Sequence, residues 1–176
     1  MTEELWLAQA KEGNQRAFKA LYEIHATPLY RFLRQFTSDT EEVEEWTQRA
    51  FIKAFEHLAS FDGRSRFSSW LFKLGLNEMR TDRRRDSIVP MVSIDDGASP
   101  VDNDKSEQLE WRATMRAWLE ELDETKRMVF LLYEVEGYSH AEIASMLEIG
   151  ESTSRTILTR TKQLLRVRWK KEENAR

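Results

Sequence analysis

The sequence predicts an all-α protein made of two small helical domains joined by a flexible, acidic linker. The chain has only three prolines and six glycines among 176 residues. Long segments also repeat apolar residues at three- and four-residue spacing, which is typical of amphipathic helices. Residues 86–105 lack this period, are acidic and contain two of the three prolines. That composition is typical of a linker, so we expect domains at residues 1–85 and 106–176.

The first domain is expected to contain four helices. Their predicted bounds are residues 2–12, 14–36, 38–58 and 66–85. Pro28 is expected to kink or divide the second helix because proline lacks a backbone N–H. The third helix is expected to begin at Ser38 or Asp39, each of which precedes a glutamate by three residues. The residues predicted to face the core are Ala17, Phe18, Leu21, Tyr22, Leu29, Phe32, Leu33, Val43, Ala50, Phe51, Ala54, Phe55, Leu58, Phe67, Trp70, Leu71 and Leu74.

The second domain is expected to contain four further helices. Their predicted positions are residues 106–122, residues 123–136 with Gly137 as the C-terminal cap, and a pair of helices within residues 138–168. Ser139 and Glu142 form an S-x-x-E capping box, which predicts the start of the first helix of that pair. A tight turn is expected around Gly150. The apolar residues predicted to be buried in the pair are Ile143, Met146, Leu147, Leu158, Leu164 and Leu165.

The outward face of the last helix is polar and basic. It contains Arg155, Thr156, Thr159, Arg160 and Lys162. This layout predicts a helix-turn-helix, whose second helix enters the major groove and contacts base edges with short polar or arginine side chains. The alternative is a helical hairpin with a solvated basic face.

The charge pattern favours contact with nucleic acid. The net charge is −4, but residues 64–85 contain seven basic residues against two acids, and residues 151–171 contain seven against one. Residues 86–150 contain fifteen acids and five bases. Two separate basic patches suit two separate contacts with phosphate.

Several classes of function are disfavoured. The absence of cysteine excludes disulfides and thiolate metal sites, and the three histidines lack carboxylate partners at ligand spacing. We therefore expect no metal and no cofactor. We find no catalytic constellation and no glycine-rich phosphate loop, so we expect no enzymatic activity. No apolar run is long enough to cross a membrane and no signal peptide is visible, so we expect a cytoplasmic protein without direct membrane insertion.

Three segments together resemble a known family. They are QRAFIKAF, FDGRSRFSSWLFKLGLNEMRTDRRR and SHAEIASMLEIGESTSRTILTR. In their order and spacing, with an acidic linker between, they resemble the group IV, or extracytoplasmic-function (ECF), sigma factors of bacterial RNA polymerase. The resemblance implies sigma region 2 in the first domain and sigma region 4 in the second. It also implies a subunit that binds core polymerase, directs it to a promoter, helps to melt the DNA and is then released.

The resemblance implies that the loop at residues 61–66, with Asn77, captures a flipped base of the non-template strand at the −10 element. Aromatic faces, an amide and cations are the groups that hold unstacked bases and phosphates. The implied −10 residues are Lys53, His57, Phe61, Asp62, Gly63, Arg64, Ser65, Arg66, Trp70, Asn77, Arg80, Arg83 and Arg84. Of these, Arg80, Arg83 and Arg84 would hold backbone phosphates upstream. The alternative for Trp70, as for Phe67, is that the side chain simply belongs to the core.

The third helix resembles the surface that docks on the clamp coiled coil of the polymerase β′ subunit. The implied docking residues are Glu41, Glu42, Glu44, Glu45 and Gln48. The alternative is a solvated helix whose acids favour its N-terminus. Two residues depart from the family pattern: Arg49 replaces an acid and Trp46 replaces a small aliphatic residue. Trp46 is expected either to pack inward or to serve as an interface anchor.

In the helix-turn-helix, the resemblance implies recognition of the −35 element. Arg155, Thr156, Thr159 and Arg160 would contact bases, while Ser152 and Thr153 would cap the helix and touch phosphate. The family commonly has Gly-Thr-Val where this chain has Ser-Thr-Ser at residues 152–154. The change suggests an altered promoter preference or a different helix start. Ile157 replaces a second arginine and is expected to turn toward the core.

The implied partners are core RNA polymerase, through the β′ clamp coiled coil and the β flap, and promoter DNA. The resemblance further implies an anti-sigma factor that clamps the two domains together. Two other classes of function stay open. One is a helix-turn-helix regulator that binds an operator alone, and the other is an enzyme with an appended helix-turn-helix, such as a recombinase.

Overall fold

The computed structural model of the protein describes residues 2–86 and 106–175. The chain divides into two compact units, residues 1–98 and 99–176. All regular structure in the described ranges is helical, which confirms the all-α class. The linker expected at residues 86–105 lies outside the described residues, apart from residue 86 at the end of a helix. The α-helices are α1 Glu3–Lys11, α2 Gln15–Leu33, α3 Thr40–His57, α4 Phe67–Asp86, α5 Ser106–Glu120, α6 Glu124–Phe130, α7 His140–Leu147 and α8 Glu151–Ala175.

The core of the first unit lies between α2, α3 and α4, and α1 packs on α2. Gly75 allows α4 to approach α2 closely, because a Cβ at this position would lie 2.9 Å from Leu29 Cδ1. The two helices therefore touch where a larger side chain has no room. The largest side chains that this core buries completely are Leu21, Leu29, Phe32, Leu33, Trp46, Phe67, Leu71, Phe72, Leu76 and Met79.

Helix α2 continues through Pro28, so the prediction that proline divides it is wrong. Proline removes one backbone hydrogen bond. Packing compensates for that loss, because Leu21 on one side of Pro28 and Leu29 and Phe32 on the other face the same core. Asn14 caps the start of α2 by accepting from the backbone N–H groups of residues 16 and 17.

Helix α3 is fastened to α4 by a polar cluster around Asp82. The Trp46 side chain is 1% exposed, and its Nε1 donates to Asp82 Oδ2 at 2.9 Å. Arg49 Nη1 donates to both carboxylate oxygens of Asp82, at 2.9 and 3.0 Å, and Arg49 also pairs with Glu45. Trp46 therefore packs inward, and its alternative role as an exposed interface anchor is wrong.

Three side chains predicted to be buried are exposed instead. They are Tyr22, Phe55 and Leu164, which are 45%, 49% and 37% exposed. Each lies at the edge of an apolar stripe that is wider than the helix face in contact with its neighbours. Phe55 still packs edge-on against Phe18, with ring centroids 4.8 Å apart.

The second unit departs from the expected run of helices at residues 123–136. Helix α6 ends at Phe130 and is followed by a π-helical segment, Leu131–Val135. The wider turn is visible where the N–H of Glu136 donates to the Leu131 carbonyl at 3.0 Å. Gly137 then adopts a φ of +71°, in agreement with its predicted role as the C-terminal cap.

Neither a membrane-spanning helix nor a metal cluster occurs in the described parts of the chain. No helix there is both long and apolar enough to cross a bilayer. The same residues contain no group of three or more His, Asp or Glu side chains arranged to hold a metal ion.

We expect Asp82→Ala to lower the free energy of unfolding by about 1–3 kcal/mol, because it leaves the buried Trp46 indole N–H without an acceptor. Chemical denaturation of the full-length protein, followed by circular dichroism, measures this loss. Glu23→Ala is the matched control, since it removes an exposed carboxylate paired with Lys19 and should cost about 0–1 kcal/mol. Equal losses in the two variants would contradict the structural role of Asp82.

Candidate nucleic-acid interface

The loop between α3 and α4 is built on a turn at Asp62. Asp62 Oδ1 accepts from the backbone N–H of Arg64 at 3.0 Å, and Asp62 Oδ2 lies 3.2 Å from Arg64 Nε. Gly63 has a φ of +75°, a backbone conformation that residues other than glycine rarely adopt. The turn exposes the side chains of residues 62–66, so a polar and cationic loop projects from the first unit.

Aromatic rings support this loop from below. Phe61 is 6% exposed, and its ring centroid lies 5.2 Å from Trp70 and 5.8 Å from Phe67. Phe67 is buried in the core, as expected, whereas Trp70 is half-buried. Phe61 therefore supports the loop, and Trp70 is more exposed than Phe61 and Phe67.

The polar residues predicted beside the loop lie on α3 and α4. Asn77 is exposed on α4 and His57 is exposed at the end of α3. Lys53 forms an ion pair with Glu78, whose side chain is 6% exposed. Sequence reasoning missed Glu78, although an acid at an apolar position of an amphipathic helix is a signal for a paired carboxylate.

The predicted phosphate-binding arginines lie in the last turns of α4. Arg83 Nη2 donates to the Phe36 carbonyl, so this guanidinium also fastens α4 to the residues after α2. Arg80 is half-exposed and Arg84 is exposed. The C-terminal end of α4 therefore presents positive charge, as the sequence predicted.

The helix-turn-helix forms as predicted. Ser139 caps α7: its Oγ accepts from the Glu142 N–H at 3.3 Å, and Glu142 Oε2 accepts from the Ser139 N–H at 2.9 Å. Glu148, with a φ of 58°, is the left-handed residue of the turn, two residues before Gly150. The Gly150 carbonyl accepts from the Ser154 N–H at 3.0 Å, which starts α8.

The predicted contact residues of α8 share an exposed face. Arg155 pairs with Glu151 in the first turn. The hydroxyls of Thr156 and Thr159 each donate to a backbone carbonyl four residues earlier, at 2.9 Å. Because the hydroxyl protons are engaged within the helix, these threonines offer methyl groups and oxygen lone pairs outward. The exposed members of the predicted set are Ser152, Thr153, Arg155, Thr156, Thr159 and Arg160.

Ser154 connects the two helices of the motif. Its side chain is fully buried, and its Oγ lies 2.9 Å from His140 Nδ1 on α7. The His140 ring stacks on Tyr133, with centroids 4.5 Å apart. The serine found where the family commonly has valine therefore has a polar partner. Ile157 is half-buried, as a residue turned partly toward the core.

A second surface lies on α3. We call the exposed side chains Glu41, Glu44, Glu45 and Gln48 the acidic face; Glu42 is half-buried and accepts from Thr37 Oγ1 at 2.9 Å. Next to this face are three exposed apolar side chains, the apolar patch, formed by Tyr22, Ile52 and Phe55. Grooves between α2 and α3 are lined by residues of both sets. Exposed apolar side chains bordered by charge are typical of a protein-binding surface.

Comparisons with known proteins agree with these two units. The sigma-70 region 2 family matches residues 21–87, and the sigma-70 region 4 family matches residues 112–165. The chain is 29% identical to the ECF RNA polymerase sigma factor SigW of Bacillus subtilis, over 91% of this chain and 92% of SigW. It is 33% identical to the RNA polymerase sigma factor CnrH of Cupriavidus metallidurans, over 81% of each chain.

A solved structure supports the same conclusion. CnrH in complex with the cytosolic domain of CnrY superposes with a TM-score of 0.72 at 28% identity, covering 96% of this chain and 97% of that chain. A region 2 unit and a helix-turn-helix region 4 unit together define a DNA-binding factor of transcription initiation. The chain belongs to the ECF group of the sigma-70 family. It is accordingly an alternative sigma factor that directs promoter-specific transcription, and an operator-binding regulator is not favoured.

We expect Ser154→Ala to destabilise the second unit by about 0.5–1.5 kcal/mol, because a buried hydrogen bond between α7 and α8 is lost. In a His140→Ala background the same change should cost less, since the partner is already absent. Unfolding free energies of the four proteins in this cycle measure the coupling. Ser145→Ala, at an exposed position of α7, is the control. A cost for Ser154→Ala that is the same in both backgrounds would show that the hydrogen bond does not stabilise the motif.

Proposed function

We propose that this sigma factor recognises the −35 element with the exposed face of α8 and captures the −10 element with the loop at residues 61–66 and the adjoining faces of α3 and α4. The observation that carries the proposal is the division of exposed cationic and polar side chains between two separate units. Each unit presents one set of these side chains on a helical scaffold, which is the arrangement required for two separate DNA contacts.

At the −35 element, Arg155, Thr156, Thr159 and Arg160 contact base edges in the major groove. An arginine can donate two hydrogen bonds to guanine, and a threonine methyl can contact thymine. Ser152 lies in the first turn of α8 next to the unpaired N–H groups of a helix N-terminus, which suits contact with a backbone phosphate.

At the −10 element, a base leaves the stack and is held between the loop and Trp70. The exposed loop residues Asp62 to Arg66 and the Asn77 amide supply hydrogen bonds, while the half-buried Trp70 supplies an aromatic face. Lys53 and His57 border this site from α3. The cationic end of α4, with Arg80, Arg83 and Arg84, binds backbone phosphates.

Core RNA polymerase binds the acidic face and the apolar patch of α3 and α2, through its β′ clamp coiled coil, and the second unit binds the β flap. The combination of exposed acids with Tyr22, Ile52 and Phe55 supports docking over a merely solvated helix. Arg49 does not oppose a basic partner, because Asp82 and Glu45 neutralise its charge.

The protein acts without catalysis of its own, since polymerase supplies the chemistry. It acts in the cytoplasm, where polymerase and promoters occur.

A protein partner, an anti-sigma factor, regulates the sigma factor by covering its polymerase-binding surfaces. The complex of the related sigma factor CnrH with the cytosolic domain of CnrY supports this regulation.

Run-off transcription with purified core polymerase on a promoter library tests the function. We expect transcripts that depend on the protein and share −35 and −10 motifs. Arg160→Ala should cost about 1–3 kcal/mol in promoter binding and relax specificity at one −35 position. Arg166→Ala, also exposed on α8 but outside the proposed set, should leave sequence preference unchanged. No stimulation of polymerase, together with tight duplex binding by the free protein, would favour an operator-binding regulator.

Glu44→Lys tests the docking surface separately from DNA. We expect this charge reversal to weaken binding to core polymerase by about tenfold or more, because it places a like charge against a basic partner. Fluorescence anisotropy of the labelled protein, titrated with core polymerase, measures the affinity. Glu4→Lys makes the same charge change on an exposed part of α1 and should have little effect. Equal loss in both variants would mean that net charge, rather than the acidic face, controls docking.

A further inference from the structure

Helix α1 lies outside the segment that matches sigma region 2, which begins at residue 21. Its C-terminal end contacts Phe61, the first residue of the loop at residues 61–66, and its N-terminal end is connected to Phe67 through His25. At its start, Glu3 Oε2 lies 3.3 Å from Nε2 of the buried His25. The His25 ring in turn packs edge-on against Phe67, with centroids 5.2 Å apart. Burial lowers the pKa of His25, and Glu3 opposes this shift only partly. The imidazole is therefore mainly neutral at pH 7 and packs against Phe67 as an uncharged ring.

At the other end of α1, Lys11 contacts the first residue of the loop. Lys11 Nζ donates a hydrogen bond to the Phe61 carbonyl and lies 5.4 Å from the centroid of the Phe61 ring. One ammonium group therefore binds both the backbone and the ring of the same residue. A hydrogen bond from a charged donor to a carbonyl is stronger than one from a neutral donor. A cation near an aromatic ring adds electrostatic attraction.

The Phe61 carbonyl is a sensitive point of attachment for the loop. It belongs to the peptide group that leads into Asp62, so its orientation sets the direction in which the turn begins. Residues 62–66 are exposed, whereas Phe61, from which the turn starts, is buried. Contacts that fix the Phe61 peptide group therefore contribute to the direction of the turn.

We propose that Lys11 is a positioning residue for capture of the −10 element. Lys11 fixes the peptide group at Phe61 and thereby aims the loop at the unstacked base. It acts through Phe61 and does not itself contact the base. The inference rests on the proposed function of the loop, and it extends the DNA-reading machinery to a helix outside the matched region.

Promoter opening by the holoenzyme tests the inference. We compare Lys11→Met, which retains the length of the side chain without its charge, with Lys11→Arg, which retains a cationic donor. Lys19→Met is the matched control, because Lys19 is exposed on α2 and pairs with Glu23 four residues later. Permanganate reactivity of unpaired thymines measures −10 opening. Core affinity, binding of the closed complex to −35 DNA and the thermal midpoint are measured alongside.

We expect Lys11→Met to reduce the rate of −10 opening by about tenfold, equivalent to about 1.4 kcal/mol in activation free energy. Its affinity for core polymerase and for −35 DNA should stay within about twofold of the original, as should those of Lys19→Met. Lys11→Arg should restore most of the opening rate. Normal opening by Lys11→Met would overturn the inference. A loss of opening with a parallel loss of core binding and thermal stability would also overturn it, since Lys11 would then be merely structural.

Arg64→Ala distinguishes failure of this inference from failure of the proposed function. If Arg64→Ala slows opening while Lys11→Met does not, the loop captures DNA and Lys11 does not position it. If neither Arg64→Ala nor Trp70→Ala affects opening, the proposed function of the loop fails and the inference about Lys11 fails with it.

Discussion

The hydrogen bonds that the Asp82 carboxylate accepts are the interactions on which the packing of the first unit most depends. This carboxylate accepts from the indole of the buried Trp46 and from the guanidinium of Arg49, so one acid on α4 satisfies two donors from α3. A buried indole N–H without an acceptor would be costly. The cluster thus fixes α3 against α4. In consequence the acidic face on α3 is held in a fixed position relative to α4.

Departures from the family pattern have partners in this chain. Trp46 and Arg49 share the acceptor Asp82, and Ser154 is joined to His140 across the helix-turn-helix. In each case an unusual polar group would be destabilising alone but is satisfied by a second residue. Each of these substitutions is thus accommodated by a contact within its own unit.

Sequence patterns predicted the local features of the fold well. The capping box at Ser139, the cap at Asp39 and the exposed face of α8 follow from residues three or four apart, where helix geometry alone determines the neighbours. The residues most often misplaced were those at the edges of apolar stripes. Tyr22 and Phe55 have the correct spacing for burial, but the width of the buried face depends on which helices pack against it.

The sequence by itself determined the helical class, the helix starts, the basic patches and the resemblance to ECF sigma factors, because each depends on composition or on short-range spacing. Only the tertiary structure decided the pairing of residues far apart in the chain. Lys11 contacts Phe61 across 50 positions, and Trp46 contacts Asp82 across 36. Such contacts arise when packed helices bring two polar groups together in space, and no local periodicity predicts which groups will meet.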